Sequence, residues 1–148
     1  MKILVALDWS RYSEHVFEIL LEQTAAEGTE IRLLHVLDPL PTKLAQAKGS
    51  REYPDFEAAA RQQRSDAEDL LEEYVKKLRA AGFHATWLVE EGDPRDVIID
   101  SAAAWGADLI ILGSRGKTTL QRLLVGSVSE SVLHHAKCSV EIVRSRVV

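Results

Sequence analysis

The run Asp108-Leu-Ile-Ile-Leu-Gly113-Ser-Arg-Gly116, then nine residues, then Gly126-Ser127-Val128-Ser129-Glu130, decides how this chain is read. Asp108 to Gly113 is a short apolar run closed by glycine, the pattern of a strand buried on both faces of a parallel sheet. Val128, Val132, Leu133 and Ala136 recur at helical spacing. A strand, a glycine-containing loop and a helix start together cradle phosphate. Glycine lets main-chain N–H groups approach an anion, and the first helical turn offers unpaired donors and partial positive charge. Ser127 and Glu130 have capping-box spacing, which puts the helix start at Ser127 as cap. No carboxylate lies between Asp108 and Glu130, whereas Arg115, Lys117 and Arg122 do. At the chain's average acid content that stretch would hold about three, so its charge leans towards an anionic ligand. An ordinary βα loop with a capped helix and a solvated basic rim has the same spacing, and spacing alone leaves both readings open.

Gly113-x-x-Gly116, nine residues, then Gly126-Ser127, within GSRGKTTLQRLLVGSVSESV, resembles the G-x-x-G-x9-G-[ST] nucleotide signature of the universal stress protein family. The resemblance spans the chain, strongest at both ends and weak from Pro39 to Ala81. It implies a Rossmann-like α/β fold similar to the adenine nucleotide alpha hydrolases. That fold is an open five-stranded parallel sheet, strand order 3-2-1-4-5, with helices on both faces.

Bulk properties agree with one α/β domain over residues 1–148. The chain is long enough for one substantial core, with 46% hydrophobic and 28% charged residues, as in soluble globular proteins. A net charge of −5 argues against sequence-independent nucleic-acid or anionic-membrane binding, which want a basic face. Cys138 is the single cysteine; it cannot form an internal disulfide, which fits a reducing cytoplasm, and it reads as a packed small hydrophobe. No apolar run approaches a membrane span or a signal peptide. The expected location is cytoplasmic.

Lys2 to Asp8 reads as a central strand. Ser10 is placed to cap a helix carrying Val16, Phe17, Leu20, Leu21 and Thr24, with Gly28 as its stop. Glu30 to Val36 is a second strand. Asp38-Pro39-Leu40-Pro41 breaks regular structure, and the aperiodic stretch to Pro54 reads as a functional flap or mobile loop. A helix runs from about Asp55 to Ala81, with Leu70, Leu71, Tyr74, Val75 and Leu78 on one side. Phe83 to Glu90 is a third strand. Asp93 caps the next helix, with Pro94 at its first position and Val97, Ile98, Ser101 and Ala102 inward. Cys138 to Arg144 is the last strand. Alternating strands and helices make βαβ units and a parallel sheet.

In such sheets ligands bind beyond the carboxyl ends of strands where the winding reverses. The implied order puts that point between strands 1 and 4, which end at Asp8 and Gly113, with Val36 of strand 2 bordering it. An acid closing an apolar strand is either a turn residue or a ligand. Asp8 would accept from ribose hydroxyls or hold a metal-bound water, and Ala6 and Leu7 would wall the base. Val36 lies where the family's backbone recognises adenine. Leu112, Gly113, Arg115, Gly116 and Lys117 would form the loop over the phosphates, and Gly126, Ser127, Val128 and Ser129 the helix-start half. His35 reads as a satisfied strand residue. His134 and His135, about 100° apart on a helix, cannot share a metal, and no residue cluster has metal-ligand spacing.

Rival motifs fail. A P-loop needs glycine where Ile111 stands; G-x-G-x-x-G and G-x-S-x-G are absent. A receiver domain needs an acidic pair after strand 1, but Trp9-Ser10 follows Asp8. No nucleophile or general base emerges, so any ATP hydrolysis would be slow. The resemblance implies ATP, AMP or another adenylate as ligand, with Mg²⁺ through the phosphates, and a regulatory or sensing role. It also implies a homodimer through the last strand, where Val140, Ile142 and Val143 suit pairing of an edge, and leaves room for a further protein partner. The alternative is a nucleotide-independent dimeric interaction module. Ser139 departs from the family, where proline is common.

Overall fold

The computed structural model describes residues 1–8, 11–37, 56–114 and 126–144, the side chains of residues 11, 12 and 56 excepted. The elements in order are β1 (Lys2–Ala6), α1 (Arg11–Gln23), β2 (Glu30–Leu37), α2 (Phe56–Ala80), β3 (His84–Glu91), α3 (Pro94–Trp105), β4 (Leu109–Gly113), α4 (Ser127–His135) and β5 (Ser139–Val143). The five strands form one parallel sheet in the order β3-β2-β1-β4-β5. Arg115, Gly116, Lys117, the Ser10 cap and the flap to Pro54 lie outside the described residues.

Strand periodicity sorts the core into two layers. Ile3, Val5, Leu33 and Ile111 face α1 and α2, meeting Val16, Phe17 and Leu20 of α1 and Leu71, Val75 and Leu78 of α2. Leu4, Leu34, Ile110 and Leu112 face α3 and α4, meeting Ile98, Ala102 and Val132. Both faces are covered, which explains why β1 and β4 are continuous apolar runs rather than alternating ones. Leu71, Val75 and Leu78 have no exposed surface; at i, i+4 and i+7 they lie on one helical stripe, each contributing about 1.5–3 kcal/mol by burial.

Two helices stop for a visible reason. After α2, Gly82 takes φ +95°, its N–H donates to Arg79 O, and Phe83 N–H donates to Leu78 O. After α3, Gly106 takes φ +74°, with its N–H directed at Ala102 and Ala103 carbonyls. A left-handed residue closing the last carbonyls is glycine's role. α1 ends differently from the sequence expectation. It stops at Gln23, and Gly28 lies in the turn before β2. Leu21, which shares the helical spacing, is exposed, whereas Phe17 and Leu20 are buried on the side of α1 that meets the sheet.

Candidate functional site

The sheet order reverses at β1, which pairs with β2 on one side and β4 on the other. β1 ends at Ala6, two residues before Asp8, but the chain beyond it is held. Leu7 N–H donates to Leu34 O at 2.9 Å, and the Leu7 carbonyl lies 2.8 Å from His35 Nδ1. A carbonyl only accepts, so Nδ1 carries the proton. His35 is buried, a satisfied strand residue as its position predicted. Asp8 N–H donates to Ser13 Oγ at 2.9 Å, and the same hydroxyl donates to Asp8 Oδ1 at 2.8 Å. Asp8 is half-exposed while Ser13, in the first turn of α1, is buried.

On the other side of the crevice, the Gly126 N–H donates to Ser114 O at 2.6 Å and Ser129 Oγ donates to Gly113 O at 2.6 Å. Residues 113–114 and 126–129 are therefore in contact across the intervening eleven positions, which brings Gly113 and Gly126 of the signature together. The first in-helix bond of α4 runs from Glu130 N–H to Gly126 O. Gly126, not Ser127, is thus the N-cap, and no side chain caps the helix. The capping-box expectation is corrected: Ser127 is the first helical residue, because the Gly126–Ser114 bond fixes where the chain enters the helix. The N–H groups of Ser127, Val128 and Ser129 have no acceptor within α4.

The other helix on this face is closed. Asp93 accepts from Arg95 N–H at 3.0 Å, and Pro94 has no N–H to offer. Arg95 also grips the Asp93 carboxylate through Nε at 3.0 Å and a terminal nitrogen at 2.6 Å. Hydrogen bonding from the Arg95 side chain, then from its backbone, holds the Asp93 carboxyl below its usual range. An anion approaching α3 meets a carboxylate, and one approaching α4 meets N–H donors.

Ala6, Val36 and Val128 are partly buried against the core layer shared by α3 and α4, so β1, β2 and α4 each bring an apolar residue to one face of the sheet. Leu112 and Ser129 are buried, Gly113 half-buried and Ser127 exposed. With its hydroxyl given to Gly113, Ser129 can offer a ligand its backbone N–H. Away from the crevice, Cys138 packs against the same core layer, and burial pushes its thiol up. His134 faces Glu130 while His135 bonds Ser131 O. Among the described residues no group of three or more His, Cys, Asp or Glu is placed to hold a metal.

The family model of the universal stress proteins matches residues 1–144. The chain belongs to this family. As a universal stress protein it is 32% identical to Universal stress protein Sll1388 of Synechocystis over 97% of both chains. It is 29% identical to Universal stress protein MJ0577 of Methanocaldococcus jannaschii over 98% of this chain and 95% of that one. The solved structure of MJ0577 superposes with a TM-score of 0.84 at 28% identity, covering 99% of this chain and 97% of that one. A universal stress protein of Arabidopsis thaliana, solved with AMP bound, superposes with a TM-score of 0.69 at 26% identity, covering 99% and 92%.

Reading this universal stress protein by sequence missed Ser13 and Ser114. Ser13 carried a signal: a hydroxyl five residues beyond a strand-ending acid, in the first turn of the next helix, is within reach of that acid. Ser114 acts through its backbone, which leaves no mark on residue type.

Proposed function

We propose that this universal stress protein binds an adenine nucleotide, ATP or AMP, in the crevice between β1 and β4. The phosphates lie on the first turn of α4, the ribose is read by Asp8, and the base packs near Ala6 and Val36. Leu7, whose side chain is buried in the opposite core layer, offers only its backbone. The observation that carries the reading is the contrast between two helix starts: α3 is capped by Asp93 and Pro94, whereas α4 begins at a glycine with no side-chain cap. A glycine N-cap gives up only a few tenths of a kcal/mol, and it leaves the first-turn N–H groups for a phosphate in the bound state. The AMP-bound relative supports the choice of adenylate. Arg115, Gly116 and Lys117 belong to the phosphate loop in this reading, and Mg²⁺ accompanies ATP through its phosphates.

The role is that of a stress-response regulator or sensor in the cytoplasm, its nucleotide changing the surface offered to a protein partner. Asp8 and His35 both bond β1 or α1 and are not set as a nucleophile and base, so hydrolysis is slow at most. Dimerisation uses β5, an edge of the sheet; Val140 and Ile142 pack inward against the protein's own core, so pairing draws on the strand backbone. Among the described residues no helix is long and apolar enough to cross a membrane. A second reading, a nucleotide-independent dimeric module, draws on that open edge alone.

Calorimetric titration of ATP and AMP, with and without Mg²⁺, into nucleotide-free protein and a Gly116→Val variant separates the two. Binding by the natural chain that is lost in the folded variant is expected. No binding by folded natural chain would leave the interaction module.

A further inference from the structure

A buried polar side chain costs stability unless its partners are arranged for it, so its location is informative. The buried polar residues among those described are Ser13, Thr29, His35, Ser114 and Ser129. Thr29 sits in the turn before β2 and bonds Ala25 O. The other four gather at the carboxyl ends of β1, β2 and β4. Two of them, Ser129 and Ser114, belong to the phosphate half of the crevice. Ser13 and His35 do not; both act on Leu7 and Asp8, just after β1 ends.

Together with one backbone bond, they hold three main-chain groups at that point. Leu7 N–H is held by Leu34 O, Leu7 C=O by His35, and Asp8 N–H by Ser13. The Ser13 hydroxyl also donates to Asp8 Oδ1. Asp8 N–H, Ser13 Oγ–H and Asp8 Oδ1 thus form a closed ring, which fixes the carboxylate relative to its own backbone. The bond to Oδ1 sets the orientation of the Asp8 carboxylate. Reciprocal bonds of this kind also occur at helix starts; here the bond in addition fixes a carboxylate that, in the nucleotide reading, must meet a hydroxyl pair in one geometry.

Resting on the nucleotide reading above, we infer that Ser13 and His35 are positioning residues for sugar recognition. Ser13 orients the Asp8 carboxylate onto the ribose hydroxyls, and His35 fixes the Leu7 carbonyl so that Asp8 leaves β1 at the required angle. Neither touches the nucleotide. Their effect falls on the discrimination between ribose and a sugar lacking hydroxyls, a quantity that a general loss of stability does not change.

The test is calorimetric binding of ATP and of 2′,3′-dideoxy-ATP to the natural chain and to Ser13→Ala, Ser13→Thr, His35→Leu and His35→Asn. Thermal melting verifies that each variant is folded. The natural chain prefers ATP roughly ten-fold or more, the value of a hydrogen bond to a charged group. Ser13→Ala and His35→Leu bring that ratio towards one. Ser13→Thr, which keeps the hydroxyl, and His35→Asn, which keeps an N–H near the Nδ1 position, retain it. If Ser13→Ala does not fold, the His35 pair carries the same comparison. A folded Ser13→Ala or His35→Leu with an undiminished ratio would overturn this inference and leave nucleotide binding standing. A natural chain that binds ATP without preferring it to the dideoxy form would do the same. A natural chain that binds neither compound would overturn the nucleotide reading, and this inference with it.

Discussion

The N–H of Gly126 donates to the carbonyl of Ser114 at 2.6 Å, closing the base of an eleven-residue excursion and handing the chain directly into α4. That bond uses the N–H of the N-cap residue, and glycine supplies no side chain to satisfy the next three. The bond ties residues 114 and 126 together, and the first N–H groups of α4 have no acceptor within the helix.

Replacing Ser127 by Asp separates stability from binding. Position 127 is exposed in the first turn of α4, where a carboxylate interacts well with the helix dipole, by about 0.3–1 kcal/mol. Melting temperature is expected to hold or rise. Nucleotide affinity falls roughly ten- to hundred-fold, because the added charge faces the phosphates at short range. A variant that binds ATP as tightly as the natural chain removes the phosphates from this helix end.

Ser129→Ala acts in the opposite sense. It deletes the hydroxyl that ties α4 to the half-buried Gly113 O, at a cost of about 0.5–1.5 kcal/mol. Denaturant unfolding should show that loss in the absence of nucleotide. A stability equal to the natural chain's would mean that the bond is not holding the loop base.

Asp93 gives a pH-dependent stability. Its carboxyl is depressed in the folded chain by Arg95, so the folded state binds fewer protons than the unfolded state as pH falls through the carboxylate range. The stabilisation is present above the unfolded carboxylate value, near 4, and is lost as pH drops through the lower folded value. Asp93→Ala removes the cap of α3 and should cost about 1 kcal/mol at neutral pH. The two unfolding curves are expected to converge in strong acid. A difference that persists unchanged there would assign the effect to something other than the ionised cap.

Gly106→Ala tests the end of α3. No atom lies within 4 Å of the position a Cβ would take, so the whole penalty is the left-handed backbone at φ +74°, about 1–2 kcal/mol. Chemical denaturation of this single variant measures it. A neutral substitution would mean that the helix end can relax out of that conformation.

The architecture was legible because both faces of the sheet are covered. β1 and β4 appear as unbroken apolar runs, and Asp93-Pro94, followed by apolar residues at helical spacing, marks a helix start. Strand order came from the family resemblance; periodicity places residues on faces and says nothing about which strand lies beside which. Site details were less legible for a different reason. Ser127 has the spacing of a cap, but the cap is decided by the Gly126–Ser114 bond, made between backbones twelve residues apart. Ser13 acts on Asp8 and His35 on Leu7 through contacts that bring α1 and β2 to the end of β1; the spacing of Asp8 and Ser13 hints at the first, and no local pattern records the second. Helical spacing does not say which apolar residues of α1 are buried: Leu21 shares it and lies in water.

The most direct measurement is a two-dimensional amide spectrum of the nucleotide-free protein titrated with ATP. The account predicts shifts at the amides of Ser127, Val128 and Ser129 and at Asp8, with the α3 start, from Asp93 to Val97, undisturbed. Shifts at α3 without α4, or no shift at any of these amides in a protein that binds ATP, would contradict it.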